Sequence, residues 1–379
     1  EYLDAMRASP QAPEEFKQRA DYEAGAILIE SARVGRVVAT REKQLAEAEG
    51  RFGRFLQEHA DHPLAASAKT QLANVLVERG RIKTEQAGSP TTPADQQNAL
   101  RGEARRLFGE AQKLLETLDK QFVAELAKLP KIIPPGPEGT QLGLQQEQLR
   151  KDLLQARLAL AQVLYETAQT YPEGSEDRKK TLSGAAAKYH EFYEKYSTRL
   201  AGLYALMYEG RCHKELGDSK KAFEVFNELF SQPDEPQPFR VLKNKAAVLG
   251  LETALLPTVK KYQQAVEMYR EWDRTSQGWE DTTVEGAAIK CLSGEAALEY
   301  ARTLDKDKPD QAKTRREMLA LAKTLFREGV RFPSDYQQRA RMLAMAPELL
   351  GGEEKPPEPT SFAEARDRAK LALDQMAAA

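Results

Sequence analysis

The 379-residue chain is long enough for two or three ordinary domains, or for one elongated stack in which each helical pair buries itself against the next. It is 41% hydrophobic, 30% charged and only 7% aromatic, and 56 basic residues against 58 acidic ones leave a formal charge of −2. That balance provides no global field to draw in nucleic acid or an anionic membrane, and no apolar run reaches the roughly 18 residues that a membrane-spanning helix needs.

Apolar residues recur at three and four spacing almost everywhere, and alternating runs between turn dipeptides are nearly absent, so helix should follow helix throughout. An opening on Glu1 leaves room for a removed leader or a larger upstream segment, and the compartment stays open. The first helical segments are predicted over residues 14–60, with a break near Gly35, and over 64–86, split by Asp61, His62 and Pro63. After the breakers Gly88, Ser89, Pro90 and Pro93 a long helix should run over 94–129. Its seam is Leu100, Ala104, Leu107, Ala111, Leu114 and Leu118. Leu149, Leu153, Ala156, Leu160 and Val163 carry the same rhythm, and the Pro-rich stretch 130–137 between the two cannot be helical. The pattern predicts a long antiparallel hairpin whose connector is a stiff surface turn, with a Pro-motif ligand as the alternative. From Tyr171 onward helices shorten between closely spaced breakers, among them Pro172, Gly174, Ser197, Gly217, Pro257, Gly278, Pro309 and Pro333. A Gly/Pro-rich linker, 351–359, then isolates a last helix that starts with a capping box of Ser361 and Glu364.

The clearest unit is residues 203–233, LYALMYEGRCHKELGDSKKAFEVFNELFSQP. Gly210 lets two helices approach, Gly217 ends the first with a left-handed residue, Ala222 and Phe226 form a small-and-large pair on one face, and Pro233 closes the unit. This resembles the tetratricopeptide repeat family. The unit departs from the family pattern in carrying His213 at the usual aromatic place and its Pro one residue early. Looser copies of the Ala–aromatic pair stand at Ala48 and Phe52, Ala104 and Phe108, Ala185 and Tyr189, Ala265 and Tyr269, and Ala322 and Phe326. In RFLQEHADHPLAASAKTQLANVL, EFYEKYSTRLAGLYALMYEGRC and LFREGVRFPSDYQQRARMLAM an aromatic helix end, a break and a new Ala-rich helix follow one another. These junctions are similar to tetratricopeptide proteins of the bacterial cell envelope, such as lipoproteins that assist outer-membrane assembly. The resemblance implies an all-α, tetratricopeptide-like α-solenoid of antiparallel helix pairs and a periplasmic or envelope location. The expected segments are 1–90 (N-terminal helical pairs), 91–172 (the long hairpin), 173–350 (the repeat solenoid) and 351–379 (linker and C-terminal helix).

No G-x-S-x-G, H-E-x-x-H, phosphate-binding or dinucleotide motif is present. His59 and His62 share a spacing of three but sit at a helix end without a third ligand, so no metal, cofactor or catalytic residue is expected. Cys212 and Cys291, far apart in apolar helical patterns, read as buried free thiols. Adjacent Cys212 and His213 point about 100° apart on a helix, which does not suit a nucleophile and its base. The Tyr-rich stripe Tyr189, Phe192, Tyr193 and Tyr196 reads as inter-helix packing. By the resemblance, the first helix of each pair lines a groove. Gly210 then aligns Tyr204, Met207, Arg211, Lys214 and Glu215 with groove-lining places, a mix of cations and apolar surface suited to an extended peptide or its carboxylate. Against that stands an ordinary helix face with Met207 in the core. Trp272 and Trp279 flank a loop and are interaction anchors if exposed, core residues if not. The expected function is a non-catalytic scaffold for a protein or peptide partner. The alternative is a self-associating structural subunit of an envelope or surface assembly.

Overall fold

The computed structural model describes residues 2–35, 37–350, 359 and 361–377. Among these residues there is no strand, and no helix is long and apolar enough to cross a membrane. The chain divides into two compact units, Glu1–Lys195 and Tyr196–Ala379. The first holds α1 (Tyr2–Ala8), α2 (Glu14–Val34), α3 (Val38–Glu58), α4 (Ala65–Gly88), α5 (Ala94–Lys128), α6 (Pro137–Ala168) and α7 (Glu176–Tyr196, its last residue excepted). The second holds α8 (Leu200–Glu215), α9 (Ser219–Phe230), α10 (Gln237–Ala254), α11 (Tyr262–Thr275), a 3-10 turn at Glu280–Thr282, α12 (Val284–Thr303), α13 (Pro309–Gly329), α14 (Tyr336–Leu343) and α15 (Phe362–Ala377). The expected segments 1–90 and 91–172 thus fall together in the first unit. Of the 351–359 linker, residues 351–358 lie outside the described residues.

Both units are solenoid-like stacks built by one rule. Each even-numbered helix packs on the next even-numbered one, α2 on α4 on α6, and α8 on α10 on α12 on α14. The odd-numbered helices α3, α5, α9, α11 and α13 each fill the gap between the even helices before and after them. The break near Gly35 separates α2 from α3, and these two pack as a pair. Helices α5 and α6 form the long hairpin, 35 and 32 residues in length. Leu107, Ala111, Leu118, Leu149, Leu153, Ala156 and Val163 of the predicted seam lie in one buried cluster.

What fixes this rule in the sequence is a contact between a small residue of an even helix and a large one of the following odd helix. A Cβ placed on Gly80 would lie 2.4 Å from the Phe108 ring, one on Gly210 2.5 Å from Phe226, and ones on Gly25 and Gly294 2.8 Å from Phe52 and Phe326. In the fifth case, Gly250, the neighbour is the flexible Met268 at 3.3 Å. Each ring is fully buried, and the Ala four residues before it is buried too, at Ala48, Ala104, Ala222 and Ala322. Glycine is required because the ring occupies the volume of the missing methyl. Gly217 has φ 83°, as its place at the end of α8 demands, and Asp218 caps α9 by accepting from the Lys221 backbone N–H. The Ser361 hydroxyl accepts from the Glu364 N–H at the head of α15.

Candidate functional site

The Gly80–Phe108 contact sets the rotation of α4 about its axis and so decides which side chains α4 turns outward. Asn74, Val77 and Arg81 stand in the same register to Gly80 as Tyr204, Met207 and Arg211 do to Gly210. In the first unit that register opens onto a cavity of about 390 Å³. Ile29, Ala32 and Arg33 of α2 line one side, Arg41 and Leu45 of α3 one end, Gln71, Asn74, Val77, Glu78 and Arg81 of α4 the floor, and Ala159 and Gln162 of α6 the far side.

Three guanidinium groups and one carboxylate face this groove, and they are not equivalent. Arg33 is exposed and paired with Glu30 at 2.6 Å. Arg81 reaches across from α4 to Glu166 of α6 at 2.8 Å and also holds Glu78. Burial alone would lower the Arg81 pKa, but the Glu166 and Glu78 charges outweigh it and raise it. Arg81 therefore acts as a cross-tie that sets the spacing of α4 and α6. Arg41 has no ion-pair partner among the described residues, and its Nε is buried without a hydrogen bond. The side-chain amides of Gln71, Asn74 and Gln162 make no hydrogen bond among the described residues either. Free amides that both donate and accept, beside an unpaired cation and apolar Ile29, Val77 and Ala159, match the needs of an extended peptide backbone.

The positions expected on α8 are differently placed. Met207 is buried in the core. Tyr204, Arg211, Lys214 and Glu215 are half-buried, and Arg211 lies over the Tyr208 ring at 5.3 Å. Lys214 is bound to Glu252 of α10 at 2.8 Å, and the same carboxylate accepts from the Tyr336 hydroxyl of α14 at 2.8 Å. The ammonium expected to be a free donor is thus spent within the fold. Burial and the hydrogen bond to Glu252 push the Tyr336 phenol well above its ordinary value.

Trp272 is not an exposed anchor. It is fully buried, and its Nε1 donates to Asn244 Oδ1 at 2.9 Å. Asn244 and Arg240 both donate to Glu280, whose other oxygen accepts from the Gln277 N–H at 2.6 Å. Arg240 also holds Asp234 at 2.9 Å and Thr275 at 2.8 Å. For Asp234, burial would raise the pKa, but hydrogen bonds from Lys243 and Arg240 overcome it and lower it. This buried cluster pins the loops around α10 and α11, and it leaves Trp279 partly exposed with its Nε1 on Gln277.

His62 Nδ1 accepts from the Leu64 N–H at the start of α4, and both His59 and His62 pack on Phe55. Cys212 and Cys291 are free and buried, and burial pushes each thiol up to about 12. No group of three or more His, Cys, Asp or Glu suited to a metal ion occurs among the described residues. Comparison of the sequence with family models and with curated proteins returns no match.

The α4 groove escapes a register anchored on Gly210 alone. Its signal in the sequence is Gly80-Arg81, which repeats Gly210-Arg211, with Ala104 and Phe108 following. The 24 residues from Gly80 to Ala104, against 12 from Gly210 to Ala222, hide the equivalence.

Proposed function

We propose that the chain is a divergent tetratricopeptide-type scaffold, without catalytic activity of its own, that holds an extended segment of a partner protein in the α2–α4–α6 groove. The observation that carries this reading is the groove lining itself. It has apolar walls, three amides free to pair with a peptide backbone, and one cation, Arg41, without an ion-pair partner among the described residues. Arg81, tied to Glu166, keeps the walls in place before any ligand arrives, which limits the ordering cost of binding.

The reading is tested by selecting peptides from a displayed random library on the whole chain and measuring their affinity by calorimetry. Selected peptides should bind Asn74→Ala and Arg41→Ala roughly tenfold more weakly, the loss of one or two good hydrogen bonds. Far-UV circular dichroism should stay unchanged. Failure to enrich any peptide, or equal affinity for both variants, removes the groove from the account. A mass in solution that grows without limit with concentration would favour the self-assembling subunit instead.

A further inference from the structure

A second surface, in the other unit and unrelated to the groove, stands out by its charge. Helix α13 buries Met318, Ala322, Leu325, Phe326 and Gly329 against its neighbours. On the opposite side its pattern places Lys313 and Arg316 and, two turns on, Lys323 and Arg327, continued past the helix end by Arg331, and all five are exposed. From Lys313 to Arg327 this stripe covers about 21 Å of the helix at 1.5 Å per residue. Several other cations of this unit are ion-paired, Arg302 with Glu348, Arg339 with Glu295 and Lys290 with Asp281 and Glu328. Among the described residues none of the five cations of the stripe is in an ion pair. Arg316 only returns to its own helix, at Ala312 O. Glu317 is exposed beside Lys313 and Arg316, so in a chain of net charge −2 the local excess of positive charge is greatest at Lys323, Arg327 and Arg331.

Beside the stripe lies a cavity of about 540 Å³ between α13 and α14. Val330, Ala344 and Met345 give it an apolar floor, and Lys323, Arg327 and Arg341 its rim, with no acidic residue in the lining. Arg341 is exposed and also free of any ion pair among the described residues. An apolar recess ringed by cations asks for a ligand with both an apolar side chain and carboxylates.

We infer that α13 and α14 form a docking surface for an acidic segment of a partner protein that places a large apolar side chain in this recess. Its carboxylates meet Lys323, Arg327 and Arg341, and further acidic residues follow the stripe. Lys323, Arg327 and Arg331, four residues apart, suit such a segment, because acidic residues at helical spacing, or at every second residue of a strand, recur at similar distances. The recess argues against a bilayer, since surfaces that bind membranes project apolar side chains into the lipid, and here Val330, Ala344 and Met345 are half-buried. It argues against nucleic acid, for which phosphate contacts alone would need no apolar floor.

The experiment uses the whole chain and fluorescence anisotropy with a labelled 18-residue synthetic peptide of repeating Glu-Glu-Leu. Controls are a peptide of repeating Glu-Glu-Ser, vesicles of phosphatidylglycerol and phosphatidylcholine, and a single-stranded oligonucleotide. The leucine peptide should bind, and it should bind more tightly than the serine peptide. Its affinity should fall roughly tenfold or more in a triple variant carrying K323E, R327E and R341E, and also fall as salt is raised. Ala344→Phe, which fills the recess and keeps every charge, should weaken the leucine peptide and leave the serine peptide unchanged. R41A, in the other unit, should change nothing. The proposal is overturned if the leucine peptide does not bind, if vesicles or oligonucleotide compete it off while binding more tightly, or if the triple variant with unaltered circular dichroism binds as well as the parent. Loss of binding in R41A would move the site to the groove and overturn it equally.

Discussion

Helices α4 and α8 carry side chains in the same register about the same kind of glycine, and the two units use that register differently. On α4 the residues Asn74, Val77 and Arg81 line an open groove whose amides and Arg41 have no partner among the described residues. On α8 Met207 is buried, as its counterpart Val77 is on α4, but Lys214, one turn on, is closed off by Glu252 and Tyr336. The second unit also turns its polar residues inward at Arg240, Asn244 and Glu280, where they bond one another and Trp272. A shared backbone rule therefore does not imply a shared site. What decides is where the next even helix brings its counter-charge: α10 sets Glu252 on Lys214, whereas α6 sets Glu166 on Arg81 and lines the rest of the groove with the small or neutral Ala159 and Gln162.

The largest test of this difference is Glu280→Ala. The carboxylate is fully buried and bound by Arg240, Asn244 and the Gln277 N–H, so its removal strands a buried guanidinium. The expected loss is about 3–5 kcal/mol, the cost of breaking a buried ion pair. Asn74→Ala in the open groove should lie within about 0.5 kcal/mol of the parent, as surface changes do. Urea denaturation measures both. Alkylation of Cys291 gives a local readout, since its thiol, raised to about 12, should stay inert in the folded parent and react faster in the Glu280 variant. Equal stabilities for the two variants would remove the contrast between a committed and an open polar set.

This contrast was only half legible in the sequence. The helices, the break at Gly35, the long hairpin and every second-helix Ala–aromatic pair could be read, because each depends on local spacing. Phe52, Phe108, Phe226 and Phe326, together with Tyr189 and Tyr269, are all buried as that spacing required. The groove could not be read, because it depends on which residue from a distant helix arrives opposite. Lys214 meets a carboxylate 38 residues away, and Arg81 one 85 residues away. Trp272 followed the same logic, since Asn244 receives its N–H from outside any local pattern.

The small-residue contact, as the rule common to both units, can be tested next through an expected difference in sign. At Gly80 a new methyl would meet the rigid, enclosed Phe108 ring at 2.4 Å, and at Gly250 it would meet the end of Met268 at 3.3 Å. Replacing glycine by alanine in a helix gains up to about 1 kcal/mol in propensity. Overpacking a core costs about 1–3 kcal/mol unless the neighbour yields, as Met does readily. Gly80→Ala should therefore lower stability by about 1–2 kcal/mol, and Phe108→Leu added to it should recover part of the loss. Gly250→Ala should be neutral or mildly stabilising. Stabilisation by Gly80→Ala would mean that the ring is free to move and that the contact does not set the rotation of α4.

The smallest effect tests the closure of the α8 face. Lys214 and Glu252 are each roughly one third exposed or less, so solvent screens the pair, and a double-mutant cycle of Lys214→Ala and Glu252→Ala should give a coupling of about 0.2–1 kcal/mol. Stability is thus a poor gauge of what the pair does; binding is a better one. With Glu252→Ala the Lys214 ammonium and the Tyr336 hydroxyl lose their shared acceptor and face outward. Peptides selected on the groove of the first unit should then show, by calorimetry, a second and weaker binding event that Lys214→Ala abolishes. A single event in Glu252→Ala, with unchanged affinity, would mean that burial of Met207 and the stacking of Arg211 on Tyr208 already shut this face, and that the counter-charge from α10 is a consequence of the closure rather than its cause.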